Sequence, residues 1–222
     1  MKKEFGKRLI TSGILTILLF LMLKFTIVFL SSLLIIFVLS WLEFNALFEK
    51  IFIKKKIFFK YLSQFFIFIY LLFFMKIIVD EFILSQPNIS RNILFVIIIC
   101  ILSDVGGYIF GKTFKGKKLT NISPNKTYSG MIGSFILSIF FAMLFSYFIE
   151  FTNLRINIFI AISTSLICQV GDLFVSYLKR KSKVKDTGNI LPGHGGLLDR
   201  IDGMLLAIPI GIMIWEFLII LV

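Results

Sequence analysis

The chain has 222 residues, of which 58% are hydrophobic and 16% are charged, and its mean hydropathy is +0.98. Soluble domains are about half apolar and about a quarter charged, so this composition excludes a soluble globular fold. The net charge of +12 comes from 24 lysine and arginine residues against 12 aspartate and glutamate residues. Cys100 and Cys168 both lie in apolar runs and indicate neither a disulfide framework nor a cysteine metal site.

Seven apolar runs are predicted to cross a membrane, which takes about 20 residues of helix. Residues 9–48 are nearly continuously apolar, with breaks at Lys24 and Glu43, and are predicted to form two short spans that meet near Lys24. The first span follows a basic flank without a small-residue cleavage site, which favours an uncleaved helix over a signal peptide. Five further spans are predicted at 61–79, 92–110, 130–149, 156–177 and 203–222. The predicted fold is an all-α polytopic integral membrane protein with about seven transmembrane helices.

Basic residues in the short loops predict the orientation, because such residues mark the cytoplasmic side. Residues 1–8, 50–60, 112–126 and 179–200 together hold 20 of the 24 lysine and arginine residues. These segments alternate with the remaining loops. The pattern predicts a cytoplasmic N-terminus and a C-terminus outside.

Two aspartates within the predicted spans, Asp104 and Asp172, are the first functional candidates, since a central aspartate costs about 2.5–3.5 kcal/mol to insert. Asp104, Tyr108 and Gly111 recur on one helical face. Gly107 and Gly111 form a small-xxx-small pair, which is typical of closely packed membrane helices. This segment alone leaves open whether Asp104 serves a site or the packing of the bundle.

The lysine-rich loop after this span leads into the sequence Ser-Pro-Asn-Lys-Thr at residues 123–127. A Ser-Pro turn with Lys126 and Thr127 at a helix start can present N–H groups, hydroxyls and an ammonium to a phosphate. A solvated basic loop would have the same composition, so this segment alone leaves both interpretations open.

The end of the sixth span carries Asp172, Ser176 and Lys179, whose offsets of four and seven place them on one helical stripe. This stripe is either an internal pair with Lys179 reaching towards water, or half of a metal and phosphate site. The following loop, residues 186–196, contains four glycines and one proline in 11 residues. Asp199 and Asp202 then lie three residues apart, which places them on one face of a helix.

Carboxylates beside an excess of lysine and arginine indicate Mg²⁺-assisted chemistry on phosphates. The sequence offers no Ser–His–Asp arrangement with a plausible base. It also lacks the second histidine that a phosphohistidine cycle usually needs, which argues against a hydrolase.

Residues 103–203 resemble the integral-membrane phosphatidate cytidylyltransferases, also called CDP-diacylglycerol synthases. The signature reads Ser-Tyr-Leu-Lys-Arg at 176–180, Lys-Asp-Thr-Gly at 185–188, Leu-Pro-Gly-His-Gly-Gly at 191–196 and Asp-Arg-Ile-Asp at 199–202. The family often has Glu or Gln where this chain has Ser129, and many members are longer at the N-terminal side. On this resemblance, residues 1–100 are membrane helices, about three spans and the start of a fourth, and residues 101–222 form the catalytic membrane region.

The resemblance implies transfer of a cytidylyl group from CTP to phosphatidate, giving CDP-diacylglycerol and pyrophosphate for phospholipid synthesis. It implies CTP, phosphatidate and other membrane lipids as partners, no nucleic acid, a homodimer, and Mg²⁺ as cofactor with K⁺ as a second cation. It also implies a bacterial-type inner membrane with the active site facing the cytoplasm. The implied catalytic residues are Asp172, Lys179, Lys185, Asp199 and Arg200. The implied metal ligands are Asp172 and Asp199, with Asp202 and Asp104 in second rank. The implied substrate-binding residues are Ser123, Lys126, Thr127, Ser176, Arg180, Gly193, His194, Gly195 and Gly196.

Two other functions stay open on the sequence. A CTP-dependent relative that acts on an isoprenoid lipid phosphate would use the same reacting groups. An ion-coupled membrane transporter is the alternative from another class, because intramembrane aspartates near Gly/Pro breaks also describe an ion pathway. A CDP-alcohol phosphotransferase is excluded, since Asp202 and Gly203 are followed by Met-Leu-Leu-Ala and not by that family's run of x-x-Ala-Arg.

Overall fold

The computed structural model describes residues 13, 17–18, 20–22, 24–52, 56–84, 89–149, 153–190 and 195–220. These residues are mainly helical, with one isolated β-bridge between Lys118 and Thr127. Six long helices follow one another along the chain: α1 Thr26–Ile51, α2 Ile57–Leu84, α3 Ile89–Phe114, α4 Tyr128–Phe148, α5 Leu154–Lys181 and α6 Leu198–Ile220. All six contain stretches that are long and apolar enough to cross a membrane. The predicted all-α polytopic membrane fold is therefore confirmed.

The helix boundaries follow the predicted apolar runs but extend past the charged residues at their ends. α1 begins at Thr26, directly after Lys24 and Phe25, where the two first spans were expected to meet. Most of the predicted first span lies outside the described residues. α5 continues to Lys181 and α6 begins at Leu198, because a helix accommodates charged residues in its terminal turns that an apolar run excludes. The sides on which the termini lie stay predictions.

The chain divides into two compact units, which are described separately. Unit 1 comprises residues 1–79 and 178–201, and unit 2 comprises residues 80–177 and 202–222. The predicted division at residue 100 separates membrane helices from a catalytic region and stays a prediction.

In unit 2, helices α3 and α4 pack closely through small residues. A methyl group at Gly107 would lie 3.1 Å from the Ser134 Oγ, and one at Gly111 would lie 3.1 Å from the Thr127 Oγ1. The Ser134 hydroxyl donates a hydrogen bond of 2.6 Å to the Ser103 carbonyl oxygen, which links the two helices. The expectation of close packing at the Gly107–Gly111 pair is confirmed.

Apolar packing fills the rest of unit 2. Phe95 is fully buried, with its ring centroid 4.6 Å from that of Phe145 and 4.9 Å from that of Trp215. Cys100 and Cys168 are buried as free thiols. This packing fixes α3, α4, α5 and the second half of α6 around the polar residues of the unit.

Candidate functional site

A cavity of about 250 Å³ in unit 2 contains several of the predicted site residues. It lies between α3, α5, the start of α4 and the loop that precedes α4. Its polar lining includes Asp104, Ser123, Lys126, Thr127, Gln169 and Asp172. The structure thus brings together side chains from two separate sequence motifs, residues 103–111 and 123–127, and from α5.

Lys126 and Asp172 form an ion pair inside this cavity. The side chain of Lys126 is 23% exposed and that of Asp172 is 27% exposed, so both retain contact with solvent. Ser176 lies one turn after Asp172 and donates a hydrogen bond of 3.3 Å to its Oδ1. Because partial burial strengthens such an interaction over its value in water, this pair is a strong local feature of the cavity.

Asp104 projects from α3 into the same cavity. It lies within electrostatic range of both Asp172 and Lys126, and its carboxylate accepts no hydrogen bond from the described part of the chain. Two carboxylates and one ammonium therefore share a cavity. Carboxylate oxygens are hard ligands that suit Mg²⁺, which usually keeps several waters and binds one or two protein carboxylates.

The loop before α4 has a defined backbone that places Lys126 at the cavity. The Leu119 N–H donates to the Lys126 carbonyl oxygen at 2.8 Å, and the Tyr128 N–H donates to that of Lys117 at 3.0 Å. Thr127 is the N-cap of α4, since its Oγ1 accepts a hydrogen bond of 3.1 Å from the Gly130 N–H. The sequence therefore folds into a turn and a capped helix start.

Ser129 joins this loop to α4. Its Oγ accepts a hydrogen bond of 3.2 Å from the Gly116 N–H and lies 3.0 Å from the Thr127 Oγ1. The short side chain thus has a role within the loop.

A second polar cluster lies in unit 1, around Asp199. The Lys179 ammonium donates to Asp199 Oδ1 at 2.7 Å. The opposite oxygen, Oδ2, accepts from the Thr187 N–H at 2.8 Å, from the Thr187 hydroxyl at 3.0 Å and from the Gly196 N–H at 3.0 Å. Both oxygens of Asp199 therefore have protein partners. Lys179, Gly196 and Asp199, three of the site residues that the resemblance implies, therefore lie together.

Glu43 is the residue that sequence reasoning missed, because it was interpreted only as a polar break in the first apolar run. It is 4% exposed and accepts hydrogen bonds from the loop that precedes α6. A buried glutamate within an apolar helix is costly and so signals a role. Nothing in its local sequence indicates which partner it meets.

The remaining predicted residues are placed as follows. Lys185 and Arg200 are exposed in unit 1, as is Arg180 at the end of α5. Asp202 belongs to unit 2, where its Oδ1 accepts a hydrogen bond of 2.8 Å from the Gly203 N–H. Gly193 and His194 lie outside the described residues. Their assigned roles stay predictions.

The metal assignment also stays a prediction. In the described ranges, no group of three or more His, Cys, Asp or Glu side chains is arranged to hold an ion. Asp104 and Asp172 share the cavity of unit 2, whereas Asp199 belongs to unit 1 and is already occupied by Lys179 and three N–H or O–H donors.

Fold and site together define an integral membrane protein whose long apolar helices hold a cavity with carboxylates, an ammonium and hydroxyls. The chain belongs to the Cytidylyltransferase family, whose family model matches residues 1–218. This match covers the helices of both units.

Curated relatives match about half of this chain. The chain is 41% identical over 131 residues to the phosphatidate cytidylyltransferase of Rickettsia prowazekii (strain Madrid E), covering 54% of this chain and 58% of that protein. It is 44% identical over 136 residues to the protein of the same name from Rickettsia bellii (strain RML369-C), covering 56% and 58%. It is 42% identical over 120 residues to the phosphatidate cytidylyltransferase of Staphylococcus haemolyticus (strain JCSC1435), covering 53% of this chain and 46% of that protein. The chain thus spans about half the length of the curated relatives it matches.

Proposed function

We propose that this protein transfers a cytidylyl group from CTP to phosphatidate, with CDP-diacylglycerol and pyrophosphate as products. The observation that carries the proposal is the cavity of unit 2, which brings Asp104, Lys126 and Asp172 together in a member of the Cytidylyltransferase family. The names of the relatives, which are 41% to 44% identical over the matched part, support CTP and phosphatidate as the substrates.

The reaction forms a bond between a phosphate oxygen of phosphatidate and the α-phosphorus of CTP. The bond from that phosphorus to the bridging oxygen of the β-phosphate breaks, and pyrophosphate leaves with the electron pair. The attacking oxygen is already anionic, so no general base is needed. Catalysis then depends on alignment and on neutralisation of the phosphate charges.

The cavity provides side chains for both tasks. Lys126 would bind phosphate oxygens, and the substrate would compete with Asp172 for its ammonium. Asp104 and Asp172 would hold Mg²⁺, which would neutralise phosphate charge when bound. Asp199 takes a lower rank as a ligand because four donors hold its two oxygens, against two donors for Asp172.

The proposal also covers the membrane in which the enzyme lies, its oligomeric state and a second cation. The distribution of basic residues favours a site that faces the cytoplasm, and the bacterial sources of the relatives support an inner membrane. A homodimer and a second cation such as K⁺ belong to the proposal on the family resemblance alone.

The test is to incubate the purified protein in detergent with Mg²⁺, phosphatidate and CTP labelled at the α-phosphate or the γ-phosphate. The α label is expected in the lipid phase as CDP-diacylglycerol, and the γ label in water as pyrophosphate. A parallel incubation contains an isoprenoid lipid phosphate in place of phosphatidate. If label enters only the isoprenoid lipid, that lipid phosphate replaces phosphatidate as the proposed substrate. No transfer to either lipid from folded protein would refute the activity and favour a transporter.

Two lysine variants connect this activity to the cavity. Lys126→Met is expected to lower kcat/KM for CTP by about 100-fold, since it removes a charged contact to phosphate. Lys60→Met is the matched control, because Lys60 is also 23% exposed and ion-paired, with Glu49 at 3.2 Å, but does not line the cavity. Equal losses in the two variants would contradict the assignment of Lys126.

A further inference from the structure

Glu43, which lies on α1, accepts hydrogen bonds from Thr187 and from Leu197 and Leu198, where α6 begins. Its Oε2 accepts hydrogen bonds from the Thr187 hydroxyl at 2.6 Å and from the Leu198 N–H at 2.9 Å. Its Oε1 accepts from the Leu197 N–H at 2.8 Å. In the described ranges no lysine, arginine or histidine lies within ion-pair distance of Glu43, so hydrogen bonds from the loop satisfy this buried carboxylate.

The glycines of this loop are where the backbone approaches the Glu43 carboxylate. A methyl group at Gly188 would lie 2.8 Å from Glu43 Oε1, and one at Gly196 would lie 2.7 Å from the same atom. Gly195 adopts a φ of +83°, which favours glycine, and a methyl group there would lie 2.9 Å from Asp199 Oδ2. Three of the loop glycines are therefore explained by contact with carboxylates of the chain itself.

The contacts of Glu43 continue to the Asp199 cluster through one side chain. The Thr187 Oγ1 that meets Glu43 also lies 3.0 Å from Asp199 Oδ2, and Asp199 is paired with Lys179. Gly196 donates its N–H to Asp199 while its neighbour Leu197 donates to Glu43. Movement of Glu43 would therefore affect the whole group.

We propose that Glu43 is a positioning residue that fixes Thr187 and the start of α6 at Leu197 and Leu198 and, through Thr187, the Asp199–Lys179 pair. This inference rests on the proposed function, together with the roles in the reaction that the family resemblance implies for Lys179 and Asp199. Glu43 lies on α1, far in sequence from the motifs of residues 103–203. It gives α1 a role at the Asp199 cluster of unit 1.

A glutamine cannot replace Glu43 in this arrangement. Each carboxylate oxygen accepts a backbone N–H, one from Leu197 and one from Leu198. The NH₂ of a glutamine would face one of these donors, because an amide offers only one acceptor oxygen. Glu43→Gln therefore loses a hydrogen bond and creates a donor–donor contact with little change in volume.

The experiment compares Glu43→Gln with Glu49→Gln in the full chain, purified in detergent. Glu49 lies on the same helix, has a 64% exposed side chain and pairs with Lys60. Amide hydrogen exchange is followed in peptides that cover residues 187–198, and KM and kcat for CTP are measured with phosphatidate. Glu43→Gln is expected to speed exchange of this segment at least tenfold and to raise KM for CTP at least tenfold, and Glu49→Gln to change neither by more than twofold.

KM is the readout that separates positioning from folding. A smaller folded fraction lowers the apparent kcat but leaves KM unchanged. Faster exchange with an unchanged KM would overturn the positioning role, and so would equal exchange in the two variants.

Thr187→Val gives a second test if Glu43→Gln does not fold. It removes the hydroxyl shared by Glu43 and Asp199 and is expected to raise KM for CTP in the same direction. Where both single variants fold, their effects on KM are expected to be non-additive, since Glu43 acts through Thr187. An unchanged KM in Thr187→Val, or additive effects, would overturn the inference. A wild-type protein without transfer activity would refute the proposed function, whereas the exchange experiment would still decide whether Glu43 holds the loop.

Discussion

Gly106 and Gly107 are neighbours in α3 that face different atoms of α4, which allows a matched test of the helix contact. A methyl group at Gly106 would overlap the Gly133 carbonyl oxygen and lie 2.8 Å from the Gly133 carbonyl carbon. A methyl group at Gly107 would meet only the Ser134 Oγ, at 3.1 Å, and the Gly130 oxygen, at 3.9 Å. Backbone atoms cannot rotate away, whereas a hydroxyl can. Gly106→Ala is therefore expected to be destabilising and Gly107→Ala nearly neutral.

The magnitude follows from the geometry at Gly106. Ordinary contacts between carbon atoms lie near 3.5–4.0 Å, so the helices would have to separate by about 1 Å. Overpacking of this kind costs about 1–3 kcal/mol, and loss of the Ser134–Ser103 hydrogen bond of 2.6 Å would cost about 1 kcal/mol more. Alanine regains about 1 kcal/mol of helix propensity over glycine in both variants. The net loss expected for Gly106→Ala is about 1–3 kcal/mol.

Thermal unfolding of the two variants in the same detergent measures this difference. Each kcal/mol corresponds to about 2–4 °C in Tm for a chain of this length. Gly106→Ala is expected to melt below Gly107→Ala, which differs from wild type by less than about 1 kcal/mol. If the two variants melt at the same temperature, or Gly106→Ala melts higher, the close approach of α3 and α4 at this point is refuted.

Three further predictions concern the loops and the cavity. Lys183 has a φ of 57° at the end of α5, where the Val184 N–H donates to the Lys179 carbonyl oxygen. Because glycine adopts this backbone conformation without strain, Lys183→Gly is expected to stabilise the folded protein by about 1 kcal/mol. An unchanged Tm would contradict this. Thr127→Val removes the cap of α4 and is expected to cost about 1 kcal/mol in thermal unfolding, while Thr127→Ser, which keeps the hydroxyl, is expected to restore most of it. Chelation of Mg²⁺ is expected to abolish cytidylyl transfer. Asp104→Asn or Asp172→Asn is expected to raise the Mg²⁺ concentration that gives half of the maximal activity by about tenfold. If the variants depend on Mg²⁺ as wild type does, the assignment of these aspartates as metal ligands is contradicted.

Features that depend on local sequence could be predicted. The six long helices of the described residues all coincide with predicted apolar runs, because burial in lipid needs about 20 apolar residues whatever the partner helix is. The contact of Ser176 with Asp172 follows from helical spacing, since residues four apart lie on one face. The close packing at Gly107 follows from the absence of a side chain.

Contacts between distant segments could not be predicted in the same way. The ion pair of Lys126 with Asp172 joins a loop to α5, and the hydrogen bond of Thr187 with Glu43 joins residues 144 positions apart. Such pairs depend on how helices pack, and a single sequence carries no periodic signal for packing between separate segments. Glu43 could be recognised as costly in an apolar helix, but its partner could not be identified.

The loop of residues 186–196 shows why composition alone gives an incomplete account of a glycine-rich segment. The family resemblance implies that glycines of this loop bind substrate, and that role stays a prediction. In the structure, the N–H groups of Gly196, Leu197 and Leu198 donate to Asp199 and Glu43. The chemistry is related, because a carboxylate and a phosphate both accept N–H donors through anionic oxygens. These three N–H groups are satisfied within the chain, and the partly exposed ammonium of Lys126 is the group that we propose for phosphate binding. Thr187 and Gly196 hold Asp199 in place, which is the arrangement that the Glu43 variants test.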